Sequence, residues 1–242
     1  MDYFLYLLFG VLPSLIWLSY YLRKDFHPES KNIILRVFLL GMGSAVFAAG
    51  FENLIGSFLL EKFSDSETIH LFIQIAYIFL GIAFVEEFVK YFAVQNKYII
   101  VKTALLKEKE FDEPVDAMIY MIVSALGFAA VENTILFFSE NSAILETLFI
   151  SGLRFSGATF LHALCSGIVG FFMALYFCQK TKRKYLIGLG LFSATCLHGL
   201  YNFSIMKMPG DEKFLIPILV LMSAAIFVSW GFKKLNAMQI YE

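Results

Sequence analysis

The sequence predicts an all-α fold: a polytopic membrane helix bundle with about seven transmembrane helices, N-terminus outside and C-terminus inside. Three observations carry this. Of 242 residues, 59% are apolar and 16% charged, against about 45–50% and about 25% in a soluble domain. Apolar stretches recur, each holding the roughly 20 residues that cross about 30 Å of hydrocarbon. Lysine and arginine gather in alternate loops. The formal net charge is −1, which leaves no basic footprint for a nucleic acid. The partners implied are the lipid bilayer and whatever lies in it.

The spans read as 3–22, 33–60, 69–95, 115–138, 148–178, 185–206 and 214–232. The first lacks a basic n-region, and Arg23 and Lys24 follow it, so it reads as a span rather than a cleaved signal. The second, third and fifth exceed the minimum length, which predicts tilt or interfacial ends. With the N-terminus outside, the inner loops hold Arg23, Lys24, Lys31, Lys97, Lys102, Lys107, Lys109, Lys180, Lys182, Arg183, Lys184, Lys233 and Lys234. The outer loops hold Lys62, Lys207 and Lys213. That asymmetry sets the orientation. The one substantial loop, 96–114, mixes Tyr98, Ile99, Ile100 and Val101 with lysines, the pattern of an interfacial helix. Glu113-Pro114 marks the next helix start, because proline suits the first helical position. No linker divides the chain, so residues 1–242 read as one transmembrane domain. Cys165, Cys178 and Cys196 lie in apolar segments without a CxxC pair and read as packing thiols. A faint echo, FAAGFEN at 47–53 and GFAAVEN at 127–133, falls on two spans that run the same way.

The informative residues are the polar ones inside the spans. Glu86, Glu87 and Lys90 fall within one turn or so of the third span. An ionisable side chain in hydrocarbon costs roughly 2.5–3.5 kcal/mol even on the mild insertion scale, so these groups face the protein interior or a wet cavity. Glu86 and Lys90, four apart, share a face, and Glu87 is three from Lys90. The fourth span carries Glu132-Asn133. The fifth carries Arg154, His162 and Ser166, and the sixth His198 and Asn202. At about 1.5 Å of rise per residue, Glu86, Glu132, His162 and His198 all fall between mid-membrane and the outer half. Such a set suits a metal-activated water. Zinc takes imidazole nitrogen and carboxylate oxygen, commonly three protein ligands plus water. A further glutamate serves as general base, and an asparagine donates to the developing oxyanion. The spacing is not HExxH, so no soluble metalloprotease motif applies.

These residues also resemble the PrsW family of intramembrane proteases, within the wider group of CAAX-processing and bacteriocin-processing membrane proteases. The matching pieces are Glu86-Glu87-x-x-Lys90, Phe128-x-x-x-Glu132-Asn133, His162 and His198-x-x-x-Asn202, in order on successive spans over about 70–205, with Glu113-Pro114-Val115-Asp116 as context. CAAX-type proteases carry an arginine four residues after their glutamate pair and a histidine in the second motif, so Lys90 and Glu132 favour PrsW. The resemblance implies a metalloprotease of the bacterial plasma membrane. It also implies a first cut in a membrane-anchored protein such as an anti-sigma factor.

The roles expected from the residues are these. Glu86 is the general base, and Glu87, Glu132, His162 and His198 compete for the metal, with zinc the expected ion. Asn202 steadies the oxyanion, and Lys90 offsets excess negative charge. Each has a plainer reading as well: a packing ion pair for Glu86, Glu87 and Lys90, a helix brace for Glu132-Asn133, core histidines, and an Arg154 that snorkels to headgroups. Glu52 reads equally as structural. The small residues Gly41, Gly43, Ala45, Ala48, Ala49 and Gly50 read as close helix packing. Membrane-buried acids and imidazoles also build ion pathways. A small proton- or cation-coupled transporter and a catalytically inactive substrate-binding relative are therefore the alternative readings.

Overall fold

In the computed structural model the described residues are 2–62, 67–103, 113–140, 143–178 and 184–239. Side chains at 2, 60, 61, 62, 67–70, 96–103, 178 and 239 lie outside the description. The basic residues between 97 and 109 and the cluster 180–183 therefore fall outside the described side chains, as does Cys178. Among the described residues every regular element is helical: α1 (Asp2–Tyr21), α2 (Lys31–Lys62), α3 (Glu67–Ala76), α4 (Val85–Thr103), α5 (Pro114–Glu140), α6 (Ile144–Ser156), α7 (Ala158–Cys178), α8 (Tyr185–Lys207) and α9 (Glu212–Gln239), with a π-helical segment at Tyr77–Phe84 and a short 3₁₀ turn at Leu22–Lys24. Seven stretches are long and apolar enough to cross a membrane, as the sequence predicts. Large apolar side chains such as Phe4, Phe47, Leu145 and Ile226 stand exposed on the outside of the bundle, the surface a bilayer covers.

α5 is the axis. From Val115 to Ala130 every residue is buried, and α1, α2 and α7 pack around it. α2 and α5 meet through reciprocal glycines. A Cβ on Gly41 would stand 2.0 Å from the Ser124 carbonyl oxygen, and one on Gly127 2.1 Å from that of Phe38. Close backbone approach through small residues is how helices associate where lipid is as apolar as leucine. The small-residue stretch of α2 divides accordingly. Gly41, Ala45 and Ala48 are buried, whereas Gly43 and Gly50 have open space where a Cβ would stand. α5 starts as its sequence suggests: Pro114 opens it, and Asp116 Oδ2 accepts from the Glu113 amide at 2.9 Å, the reach-back half of a capping box.

Two spans differ from plain helices. The third widens into the π-helical segment before Glu86. Tyr77 folds over Gly81 and Gly56, where a Cβ would come within 2.7 Å of its ring and 2.6 Å of its hydroxyl, and the Phe79 ring fills the notch at Gly199 of α8. The fifth starts at Ile144 and is broken at Gly157 (φ −108°, ψ −97°), so Arg154 and His162 sit on separate helices, α6 and α7, rather than on one continuous face. The Tyr201 hydroxyl closes on the break, 2.5 Å from where a Gly157 Cβ would be.

Candidate active site and metal centre

Four helices deliver the polar residues to one place. α4 brings Glu86, Glu87 and Lys90, all buried. Lys90 Nζ donates to Glu87 Oε1 at 2.8 Å and to Glu86 Oε2 at 3.4 Å, the i+3 and i+4 neighbours expected from the helix. It also lies 2.8 Å from His162 Nδ1 of α7 and 4.3 Å from the centre of the Phe128 ring of α5, a cation–π contact. An unpaired buried ammonium would be costly; here two carboxylates, a ring nitrogen and an aromatic face surround it. The Ser124 hydroxyl donates to the Lys90 carbonyl at 3.3 Å, so the glycine crossing of α2 and α5 also fixes the height of α4.

The two imidazoles stand edge to face, ring centres 5.1 Å apart. Each has one nitrogen on a carboxylate. His162 Nε2 is 2.6 Å from Glu132 Oε2, and His198 Nδ1 is 2.9 Å from Glu87 Oε1, whose other oxygen accepts from the Ser166 hydroxyl at 3.1 Å. The remaining nitrogens converge on the third carboxylate: Glu86 Oε2 is 3.6 Å from His162 Nδ1 and 3.7 Å from His198 Nε2. Beyond them Arg154 Nη2 forms an ion pair with Glu132 Oε1 at 2.8 Å, and Arg154 Nε donates to Asn133 Oδ1. Asn133 Nδ2 donates to the Thr159 hydroxyl at 3.0 Å and to the Gly10 carbonyl at 3.3 Å. Asn133 is thus a brace tying α1, α5, α6 and α7, while Glu132 next to it faces the site. Arg154 pairs inward with Glu132.

The cluster opens into a cavity of about 490 Å³, lined by Glu52, Glu86, Glu132, Arg154, His162, His198, Tyr201 and Asn202 together with apolar residues such as Leu136, Ile150 and Ile205. These apolar residues lie toward the C-terminal ends of α5 and α8 and on α6, the face of the bundle that also holds the start of α1. Glu132 is more open than Glu86 and Glu87, with its side chain 37% exposed against 6% and 0%, and Asn202 lines the cavity one turn beyond His198. Glu87 and Lys90 lie behind the wall, without exposure. Glu86, Glu87, Lys90, Glu132, His162, His198 and Asn202, all singled out from the sequence, therefore meet here. Thr159 and Tyr201 add contacts that sequence reasoning missed. Small hydroxyls and a tyrosine in an apolar helix are too common to signal anything without a partner in view.

The comparisons with known proteins fit this geometry. Residues 29–230 match the family described as PrsW family intramembrane metalloprotease. Protease PrsW of Bacillus subtilis is 27% identical over 241 residues, covering 96% of this chain and 97% of that protein. Protease PrsW of Geobacillus kaustophilus is 32% identical over 202 residues, covering 80% and 76%. That of Clostridioides difficile is 29% identical, covering 82% and 78%. The chain belongs to the PrsW family. Its enzyme class is that of an intramembrane protease, and with seven candidate spans and bacterial relatives it is a multi-pass protein of the bacterial plasma membrane. That decides against the transporter reading. No solved structure matches the chain.

A PrsW metalloprotease needs a place for a divalent ion, and the donor set here fits one. Glu86, His162 and His198 each offer a ligand atom, and these atoms lie within 4.8 Å of one another. Two histidines and one glutamate form a donor set of catalytic zinc centres. In such centres the second nitrogen of each ligating histidine binds a carboxylate or carbonyl that fixes the tautomer, and Glu132 and Glu87 stand in those positions. The charge balance agrees. Glu52, Glu86, Glu87 and Glu132 outnumber Lys90 and Arg154 by two.

Proposed function

We propose that this chain is a metal-dependent endopeptidase that cuts a single-span, membrane-anchored protein of the anti-sigma-factor kind, and that Glu86, His162 and His198 hold its metal, zinc being the ion the donor set suits best. The observation that carries the reading is the convergence of Glu86 Oε2 with the second nitrogens of the two imidazoles, the ones turned away from Glu132 and Glu87, at 3.6 and 3.7 Å. A bound divalent ion supplies a Lewis acid and lowers the pKa of water toward neutrality.

The chain's own groups account for the rest. Glu87 and Glu132 orient the imidazoles. This moves Glu86 from the base position to a ligand position and Glu87 from a ligand to an orienting one. Glu132, more open to the cavity than Glu86 or Glu87, moves from the ligand set to the base position: it takes the proton of the attacking water and returns it to the leaving amine, a role worth typically 10²–10⁴-fold. The Arg154 pair holds it in place. The Asn202 amide, one turn from His198, donates to the oxygen that gains charge as the carbonyl is attacked. Lys90 Nζ, 2.8 Å from His162 Nδ1, competes with the ion for that nitrogen and balances the two α4 glutamates. The N-out/C-in orientation supported by the loop charges puts the cavity mouth toward the outer face.

The test is a doubly tagged single-span reporter, its span and flanks taken from anti-sigma-factor-like proteins, co-reconstituted with the purified chain. Wild type carries about one divalent ion and releases both fragments. Glu86→Gln and His198→Ala lose ion and cleavage together. A protein that cuts the reporter equally well with its metal removed and with Glu86 replaced overturns the assignment.

A further inference from the structure

A second cavity lies on the lipid side of the same residues. It is a groove of about 640 Å³ between α2 and α4, lined by Leu39, Leu40, Gly43, Ser44, Phe47 and Phe51 on one wall and by residues from Phe84 to Ala93 on the other. Among the described residues no charged side chain lines it. Phe84, Phe88 and Phe92 stack along α4 with ring centres 5.7 and 6.2 Å apart, Phe47 stacks on Phe51 across from them, and all five are exposed. The stretch of α2 that lines the groove, 39–51, measures about 18 Å at 1.5 Å per residue.

Two features separate this groove from ordinary lipid-facing surface. It shares a wall with the catalytic cavity that is a single residue thick. Phe51 lines the groove and Glu52 the cavity; Phe84 and Val85 line the groove and Glu86 the cavity. At that wall Glu52 Oε1 is shut off from solvent and meets no hydrogen-bond donor among the described residues, while the backbone carbonyl of Glu52 is held by the Tyr77 hydroxyl at 3.0 Å. Tyr77 begins the π-helical segment, and such widened turns concentrate at functional positions. A buried acceptor left without a donor costs free energy and is provided for when a donor arrives. An acyl chain brings none. A peptide brings an amide with every residue. The opening over Gly43 admits another helix to backbone contact.

We propose that the α2/α4 groove is the surface on which the membrane-spanning helix of the substrate docks, and that Glu52 receives a main-chain or side-chain donor of that substrate where it crosses into the catalytic cavity. This rests on the protease reading above and names the route by which its substrate arrives from the bilayer.

The experiment compares Gly43→Trp with Gly188→Trp, both at positions where an added Cβ meets nothing within 4 Å. Cleavage is measured in nanodiscs on the doubly tagged single-span reporter and on a water-soluble peptide carrying the same cut site. Gly43→Trp raises KM for the reporter about tenfold or more, the effect of losing about 1.4 kcal/mol of docking, and leaves the soluble peptide unaffected; Gly188→Trp changes neither. Glu52→Leu lowers reporter cleavage at unchanged metal content, and Glu52→Gln, which keeps an acceptor, restores most of it. Independently, Gly43→Cys forms a disulfide with a cysteine scanned through the reporter's span and Gly188→Cys does not. Wild-type KM in Gly43→Trp, or equal loss on both substrates, overturns the docking proposal, as does a Gly43→Cys protein that cross-links only to a second copy of itself. A wild-type protein that cuts neither substrate overturns the protease reading instead.

Discussion

Glu86 and Glu87 are neighbours in sequence with opposite surroundings. Glu87 is enclosed by Lys90, His198 and Ser166, and Glu86 reaches toward His162 Nδ1 and His198 Nε2. Three carboxylate substitutions therefore part company. Glu86→Gln abolishes metal binding. Glu132→Gln still binds the metal, with affinity lowered as for an orienting carboxylate, and at saturating metal lowers kcat by about 10²–10⁴, the usual worth of a general base. Glu87→Gln lowers metal affinity by about 10–100-fold, the usual effect on an orienting carboxylate. Metal analysis beside turnover on the reporter reads all three, and metal-free Glu132→Gln would return that residue to the ligand set. The membership of this cluster was legible in the sequence, because acids and imidazoles inside apolar spans have no cheap alternative to meeting one another. The division of labour was not. Adjacent glutamates on one helix point about 100° apart, and which of them turns toward α7 and α8 depends on the widened turn before them, which leaves no clear trace in composition.

At the scale of elements, the spans were legible to within a few residues, because length and hydropathy are dictated by the bilayer. The breaks were not. A glycine such as Gly157 has no signature apart from the many glycines that sit within continuous helix, and only the Tyr201 hydroxyl pressed against it shows its use. Gly127→Leu forces a side chain into the Phe38 backbone and destabilises the bundle by about 1–3 kcal/mol or more, the range for overpacking a tight contact; a lower denaturation midpoint in detergent checks it. The junction of α1 and α5 predicts a pH effect. Burial, with the Glu113 carboxylate adding to it, raises the Asp25 carboxyl above its ordinary value against the His27 amide that donates to it. His27, Glu113 and Asp116 are the other titratable groups there. A raised carboxyl favours the folded state most below its unfolded pKa, and that contribution fades as pH rises through the folded value. Asp25→Asn, which keeps the acceptor, therefore raises the thermal midpoint at neutral pH, and the gain disappears below about pH 4. A gain that persists in acid would rule this out.

For the whole molecule, the metal links chemistry to stability. An ion bound by α4, α7 and α8 together stabilises the folded state by about 4 kcal/mol at a free concentration a thousand times its Kd. Chelation is thus expected to lower the unfolding temperature as well as stop cleavage, and the Glu86→Gln protein should show no such response. Periplasmic tagging of the N-terminus with cytoplasmic tagging of the C-terminus checks the orientation.

The Asn133 brace ties four helices, and the Glu87–His198 and Glu132–His162 pairs tie four that only partly overlap with them. While the chain is being made, Glu87 enters the bilayer more than a hundred residues before His198 does. Until the sixth span arrives, its carboxylate has Lys90 of its own helix but not its imidazole. A chain stopped before α8 therefore leaves a desolvated ion pair with one of its partners missing, which is costly in hydrocarbon. The pairing of these buried groups is complete only once α8 is in place.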